Sequence, residues 1–363
     1  MEIGIVTHYD VHNHGALLQL NALIKVLKSF GYEAKALKFE KNYDFLGVER
    51  KYKYEIGLKS IPVYLKYLLS RGCLNTLYNI RKKKCLNEFK RSESLIGEYY
   101  TTYSSLTAII IGSDEVFALH TGPTPVFWGY ALPSQNIFSY GASFGPSTFT
   151  DIKKRHCVSF VKSGLENMNA LSVRDMNSFN IIFSLINKKA QLVCDPVLLY
   201  GYKSELNAIQ KKEKYPYLIV YSYDMNMNSN EEVKEIRAYA KKHNLTIISA
   251  GFYHKWCDKN INVDPISLLA YFRDATCAVT DTFHGSVLSI LNNTELAVRV
   301  RSNSNKLQNL LEEYKLSDRI LRENDCLEDK FNIKINWEQV NEELEKRRAL
   351  SWNYLNKCLK HEH

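Results

Sequence analysis

At 363 residues, 45% of them hydrophobic, the chain is longer than one hydrophobic core usually supports, so two domains are expected. No stretch reaches the roughly 20 apolar residues of a membrane span, and Met1-Glu2-Ile3-Gly4-Ile5-Val6 lacks the charged region and apolar core of a signal peptide, so a cytoplasmic protein is expected. The formal net charge of +9 favours anionic partners such as phosphorylated small molecules or a membrane surface, while no zinc-finger, RNP-type or helix-turn-helix pattern supports nucleic acid.

A first strand is expected at Glu2 to Thr7, then a polar loop from His8 to Gly15. A helix from Ala16 to Phe30 follows, with Leu17, Leu20, Leu23, Ile24 and Leu27 at helical spacing and Gly31 as its stop. With a strand at Glu33 to Phe39 this makes a βαβ unit, whose loop lies at the sheet edge where open α/β folds place ligands. Three histidines in that loop, together with the turn Asn13-His14-Gly15, make it a candidate site; exposed loop histidines are also often simply solvated. Lys41 to Arg91 is strongly basic, with Lys51-Tyr52-Lys53-Tyr54 and Arg81-Lys82-Lys83-Lys84. Between these runs, Ile61 to Tyr78 places Tyr64, Leu65, Leu68, Leu69 and Leu77 on one helical face. Such a helix can lie on an anionic membrane or cover its own domain.

Leu106 to Ile111 reads as a buried strand ending in Gly112-Ser113-Asp114-Glu115, and Asn136 to Ser143 as another. The second ends in Gly141-Ala142-Ser143-Phe144-Gly145, the pattern of a hydrolase nucleophile elbow. Pro146 to Thr150 reads as loop, however, where an elbow needs a helix at once. A helix at Asp151 to Asn169, a strand at Ala170 to Val173 ending in Arg174-Asp175, a helix through Asn187 and a strand at Gln191 to Cys194 lead into Asp195 to Leu199. Tyr200 to Pro216 is polar and lysine-rich, as an interdomain linker would be.

The second half repeats the alternation, with strands at Tyr217 to Tyr221, Leu245 to Ser249 and Leu296 to Val300. Its helices are expected at Asn230 to His243, Pro265 to Arg273, from near Ser304, and along Trp337 to Leu359. Within it, Cys277 to Val279 is a short buried strand, Asp281 to Gly285 a tight polar turn, and Ser286 the opening of a helix. Unpaired N–H groups at such a terminus favour a phosphate or carboxylate, and His284 sits where a proton can be given or taken. The competing account is a packed turn whose histidine caps or fills. The whole suggests an α/β protein of two Rossmann-like domains facing a cleft: residues 1–203, residues 204–335, and a helix over 336–363 that packs back on the first domain. Neither half carries G-x-G-x-x-G or a Walker A loop. The eight cysteines show no C-x-x-C pair and no histidine cluster at zinc spacing, so no metal is expected.

Taken in order, six segments resemble the polysaccharide pyruvyl transferase family. They are Asn13-His14-Gly15-Ala16-Leu17-Leu18-Gln19, Ile110-Ile111-Gly112-Ser113-Asp114-Glu115-Val116, Ser139-Tyr140-Gly141-Ala142-Ser143-Phe144-Gly145, Ser172-Val173-Arg174-Asp175, Cys194-Asp195-Pro196-Val197-Leu198-Leu199 and Thr280-Asp281-Thr282-Phe283-His284-Gly285-Ser286. The resemblance implies a fold similar to the GT-B glycosyltransferases. It also implies transfer of the pyruvyl group of phosphoenolpyruvate onto two hydroxyls of a sugar, forming a cyclic ketal and releasing phosphate. The acceptor would be a sugar or lipid-linked oligosaccharide of a growing surface polysaccharide, such as an exopolysaccharide or capsule. No cofactor is implied beyond this co-substrate, and the basic segment from Lys51 to Lys84 would suit peripheral contact with the inner face of the membrane.

Such a reaction needs cations or oriented N–H groups for a carboxylate and a phosphate, an acid for the methylene carbon and a base for the sugar hydroxyl. By the resemblance, Arg174 and His284 are donor-site residues. Arg174 offers a bidentate fork or, alternatively, an ion pair with Asp175 or another acid. His284 would serve as acid or stabilise departing phosphate. Asp281 would orient His284, help bind the acceptor or cap the next helix, and Asp114 is a candidate base or a cap. Thr282, Gly285 and Ser286 complete the donor side, with Arg301 and Lys306 as further anion ligands or solvated cations. His12, Asn13, His14, Gly15, Ser113 and Asp114 would face the acceptor. Two positions depart from the family pattern: Thr282 stands where some members have arginine, and Phe117 where relatives beginning Gly-Ser-Asp-Gln-Val have tryptophan. Three other functions fit the same chain: a GT-B-like glycosyltransferase using a nucleotide sugar, a serine hydrolase built on Ser143, and a non-catalytic glycan-binding module.

Overall fold

A computed structural model describes residues 1–41, 61–301, 305–323 and 325–360. The basic run at residues 51–54 lies outside the described residues, as do Ser304 and the side chains of Tyr64, Leu65, Leu68 and Leu69.

Two parallel sheets organise the chain. The first joins β1 (Glu2–Val6), β2 (Glu33–Lys38), β3 (Ile96–Tyr99), β4 (Ala108–Asp114), β5 (Ile137–Ala142), β6 (Ser172–Val173) and β7 (Gln191–Leu192) in the order β3-β2-β1-β4-β5-β6-β7. The second joins β8 (Tyr217–Tyr221), β9 (Thr246–Ala250), β10 (Lys259–Ile261), β11 (Cys277–Thr280) and β12 (Leu296–Val298) in the order β10-β9-β8-β11-β12. Strands β5, β8 and β11 are buried along their whole length, as central parallel strands covered by helices on both faces should be. In each sheet the chain runs outward from its first strand and then returns to that strand's other side. The reversal falls between β1 and β4 and between β8 and β11, where ligands bind in open α/β sheets.

The helices differ from the sequence expectation where polar caps intervene. Helix α1 (His14–Ser29) starts two residues early, because Asn13 Oδ1 accepts from the N–H groups of Gly15 and Ala16 at 2.8 and 3.3 Å. Helix α2 (Ile61–Ser92) is interrupted at Gly72, which takes φ 76°, and then runs against the second domain. There the Tyr78 hydroxyl donates to the Ile261 carbonyl at 2.7 Å. The helix expected over Asp151 to Asn169 is two, α3 (Phe149–Lys154) and α4 (Val158–Glu166), separated at His156 with φ 53°. Thr148 and Asp151 form a capping box for α3 within the stretch expected to be loop.

After α5 (Met176–Ile186) and α6 (Pro196–Tyr200), the expected linker holds a further helix, α7 (Lys203–Ala208). It also holds the buried Tyr202, whose hydroxyl donates to Asn21 Oδ1 at 2.8 Å. That segment is therefore packed structure. The second domain contributes α8 (Asn230–Lys242), α9 (Pro265–Asp274), α10 (Phe283–Asn292), α11 (Asn305–Glu313) and α12 (Leu327–Asn332). The last helix, α13 (Trp337–Leu359), lies on the first domain. Its Ser351 Oγ accepts from the Cys194 N–H at 2.9 Å, and Tyr354 donates to the Ser139 carbonyl at 2.8 Å.

Candidate active site between the two sheets

The carboxyl ends of β4, β8 and β11 face one another across a cavity of about 410 Å³. Glu115, His120 and Pro146 line it from the first domain; Tyr223, Asp281, Thr282, Phe283, His284 and Lys306 line it from the second. A larger hollow of about 670 Å³ lies beside β7, Lys188, Lys189 and Tyr354 and shares no lining residue with this cavity.

The turn after β11 is tighter than its composition suggested. Thr280 Oγ1 donates to the Tyr221 carbonyl at 2.6 Å and accepts from the Thr282 N–H at 3.1 Å. Thr282 Oγ1 in turn accepts from the Gly285 N–H at 2.9 Å, so α10 begins at Phe283, and Thr282 rather than Asp281 is its cap. Gly285 has no alternative here, since a Cβ would stand 2.1 Å from Thr280 Oγ1. The backbone donors expected of Gly285 and Ser286 are therefore already engaged, the Ser286 N–H with the Thr282 carbonyl at 3.3 Å.

His284 is buried with no partner at Nε2. Its ring rests on the backbone of Gly15, where a Cβ would lie 2.1 Å from Cγ. Burial drives its pKa down to about 3, more strongly than Asp114 raises it, so the imidazole is neutral at pH 7. A phosphate dianion placed at Nε2 would oppose that shift and favour the protonated form.

Arg174 forms the floor beside this ring. Its guanidinium is 1% exposed; Nη2 donates to Asp114 Oδ1 at 3.1 Å and Nη1 to Asp195 Oδ2 at 3.4 Å, and it covers the Phe283 ring at 4.7 Å. Of its two expected roles, the structure displays the ion pair, though with Asp114 and Asp195 rather than Asp175. Asp175 instead caps α5 through the Ser178 N–H and accepts from Ser143 Oγ at 2.7 Å. Burial works most strongly against the charge of Asp114, but Arg174 together with His8, Lys306 and His284 outweighs it and holds that carboxyl well below the usual range. Asp281 receives Arg301 Nε at Oδ2 at 3.2 Å, while its buried Oδ1 has no partner. Arg301 also pairs with Glu232 at 2.7 Å, and Lys306 with Glu115 at 2.5 Å, so neither is merely solvated.

Residues expected on the acceptor side divide. His14 and Gly15 reach the domain junction, where His14 Nε2 donates to the Val263 carbonyl at 2.9 Å. Asn13 is committed to its cap. His12 turns to Asn87 at 3.3 Å, and Ser113 Oγ is buried against the Gly141 carbonyl at 3.2 Å. Ser143 is fully buried, and its hydroxyl is held between Asp175 and the Gly145 N–H, so it is no exposed nucleophile. Sequence reasoning passed over Tyr223, which lines the cavity, and the carboxylates of Glu115 and Asp195. Glu115 and Asp195 stood inside two of the quoted segments without a role of their own, and Tyr223 had no signal beyond its place after the strand at Tyr217 to Tyr221.

A family model of polysaccharide pyruvyl transferase matches residues 13–302. The chain belongs to the polysaccharide pyruvyl transferase family. All six segments that carried the resemblance overlap that span, and the cavity residues from Glu115 to Asp281 and His284 fall inside it. No curated protein matches the chain in sequence. Among solved structures, UDP-GlcNAc 2-epimerase of Methanocaldococcus jannaschii, in complex with UDP-GlcNAc and UDP, is similar at a TM-score of 0.52 and 12% identity, over 99% of this chain and 100% of that one. A putative UDP-N-acetylglucosamine 2-epimerase of Listeria monocytogenes gives 0.52 at 8% identity, over 99% and 95%. These likenesses establish the fold: this pyruvyl transferase family member is built like the GT-B enzymes, from two Rossmann-like domains about a cleft.

Two consequences are measurable. Gly15→Ala should lower stability to urea by about 1–3 kcal/mol through overpacking against His284. In a His284→Ala background the same change should become neutral or stabilising, since alanine then has room and is the better helix former by about 1 kcal/mol. The second concerns acid. Burial holds both His14 and His284 at a pKa of about 3 in the folded protein, well below 6.5. The unfolded chain thus takes up protons first as pH falls, and stability is lost from about pH 6.5 down towards pH 3. Between pH 7.5 and pH 5 each such histidine should cost about 2 kcal/mol. Denaturation of His14→Gln at both pH values should show a correspondingly smaller drop, and an unchanged drop would exclude His14 as a source.

Proposed function

We propose that the protein transfers the pyruvyl group of phosphoenolpyruvate to two hydroxyls of a sugar in surface polysaccharide biosynthesis. The observation that carries this is the position of His284, neutral and unpartnered at Nε2, on the wall of a cavity that also holds Lys306 and Asp281. In the proposed reaction the methylene carbon gains a proton and becomes a methyl group. The central carbon forms bonds to both hydroxyl oxygens while its bond to the phosphate oxygen breaks. Of the two hydroxyl protons, one balances that gained by carbon and the other leaves with phosphate.

His284 is suited to the proton transfer once an anion raises its pKa. Asp281, with Oδ1 buried and unpartnered, is the better candidate to accept a hydroxyl proton. Asp114 is already paired with Arg174 and is held ionised there. Arg174 lies beneath the cavity wall, so its proposed part is to position Asp114 and Phe283. Lys306 is the proposed cation for the donor. A nucleotide-sugar donor is the second reading, favoured by the fold shared with enzymes of UDP-GlcNAc.

Thermal unfolding with phosphoenolpyruvate, with phosphate and with UDP-GlcNAc separates the two. At a hundred times its dissociation constant a ligand adds about 2.7 kcal/mol. Phosphoenolpyruvate should raise the wild-type midpoint beyond phosphate and should do so less for Lys306→Met and for His284→Ala. A response to UDP-GlcNAc alone would transfer the assignment to glycosyl transfer.

We also propose peripheral contact with an anionic membrane, where a lipid-linked acceptor would reside. No helix of the described residues is long and apolar enough to cross a membrane. On α2, however, Leu74, Leu77 and Ile80 are 65%, 45% and 61% exposed, beside the exposed Arg81 and Lys84. Wild type should sediment with phosphatidylglycerol vesicles and less with phosphatidylcholine vesicles, and Leu77→Ser with Ile80→Ser should release it. Equal sedimentation of that variant would refute the contact.

A further inference from the structure

We infer that Glu115 is an internal anion: in the resting protein its carboxylate occupies the place of the donor's phosphate or carboxylate, and donor binding displaces it from Lys306. Glu115 follows β4 in the first domain, and Lys306 belongs to α11 of the second, so their 2.5 Å contact spans the cleft. The other carboxylate oxygen lies 3.6 Å from His120 Nε2, and all three side chains line the cavity that holds His284. A substrate phosphate or carboxylate makes the same demand of Lys306 that Glu115 now meets: one charged N–H donor at hydrogen-bond distance.

Among the cations at or beneath this cavity, Lys306 is the easiest to release. Arg174 is held by two carboxylates, Asp114 and Asp195, and Arg301 by two others, Asp281 and Glu232. Lys306 has one carboxylate partner among the described residues, and that side chain is 20% exposed. Freeing either arginine would strand buried charge, which is far more costly than exposing a glutamate at a cavity wall.

The seat of Glu115 is shaped for it. Gly145, with φ 55°, passes directly beneath, and a Cβ there would come within 2.7 Å of Glu115 Cδ. This gives the last glycine of the Gly141-Ala142-Ser143-Phe144-Gly145 segment a role: it leaves space for the carboxylate.

The inference rests on the cleft being the donor site, and the test separates the two. Calorimetric titration of inorganic phosphate and of phosphoenolpyruvate should be run on wild type, Glu115→Gln, Lys306→Met and the double variant, with the unfolding midpoint of each measured alongside. Glu115→Gln should bind both anions about tenfold more tightly, the step of a single charge-assisted contact. In the Lys306→Met background the same change should add nothing. Unchanged or weaker anion binding by a folded Glu115→Gln would overturn the proposal, as would an equal gain without Lys306. If both anions tighten while phosphoenolpyruvate binds no better than phosphate, the Glu115 assignment stands and the pyruvyl donor fails.

Discussion

The buried guanidinium of Arg174 is the contact on which the cleft depends. A charge removed from water costs several kcal/mol unless it is paired and hydrogen-bonded. Arg174 is paired at Nη2 with Asp114 from the end of β4 and at Nη1 with Asp195 from the start of α6, and it covers the ring of Phe283 from α10, while its buried Nε has no partner. Three segments distant in sequence are thus brought to one point, and two of them carry the residues that line the cavity. Asp195 is held in its turn by Gln19 of α1, which ties the first helix to the same network.

Around that point two helices meet near their amino-terminal ends. Helix α1 brings His14 and Gly15, and α10 brings Phe283 and His284. Glycine at position 15 lets the ring of His284 lie against backbone, and this contact removes the imidazole from water. The same closeness buries His14, whose Nε2 hydrogen donates to the Val263 carbonyl and leaves Nδ1 as an unfilled acceptor. Neutral histidines are therefore a product of how the domains join. The proton chemistry proposed for His284 depends on an incoming anion changing that balance.

Charge tells a similar story at two scales. The chain carries a formal +9, yet Arg174, Arg301 and Lys306 all have carboxylate partners. Net charge governs long-range attraction of an anion, whereas the final contacts are set by which ion pair can be exchanged. Thr282, at the mouth of the turn, contributes a helix cap and no charge. In the proposed reaction the donor's anion is held by Lys306, whose carboxylate partner is Glu115.

Hydrophobic periodicity, glycine placement and motif order were enough to read from the sequence a pair of Rossmann-like domains, most of their strands and the family. These are local signals: a buried parallel strand is an apolar run wherever it occurs, and Thr280 to Ser286 looks like a turn in isolation. Caps were less legible, because Asn13, Thr148 and Thr282 reveal which amide they accept from only once the backbone is placed. The pairing of Arg174 was not legible at all. Asp175 stood next to it in sequence and was the obvious partner, but adjacent residues at a strand end diverge, and Asp175 faces Ser143 and the start of α5. Asp114 and Asp195, 60 and 21 residues away, fill the position instead. The residue types, their order and the family were determined by the sequence alone; the partners of each charge, the burial of His284 and the seat of Glu115 were decided only by tertiary structure, because ion pairing and desolvation depend on distance in space and the sheet crossovers set that distance.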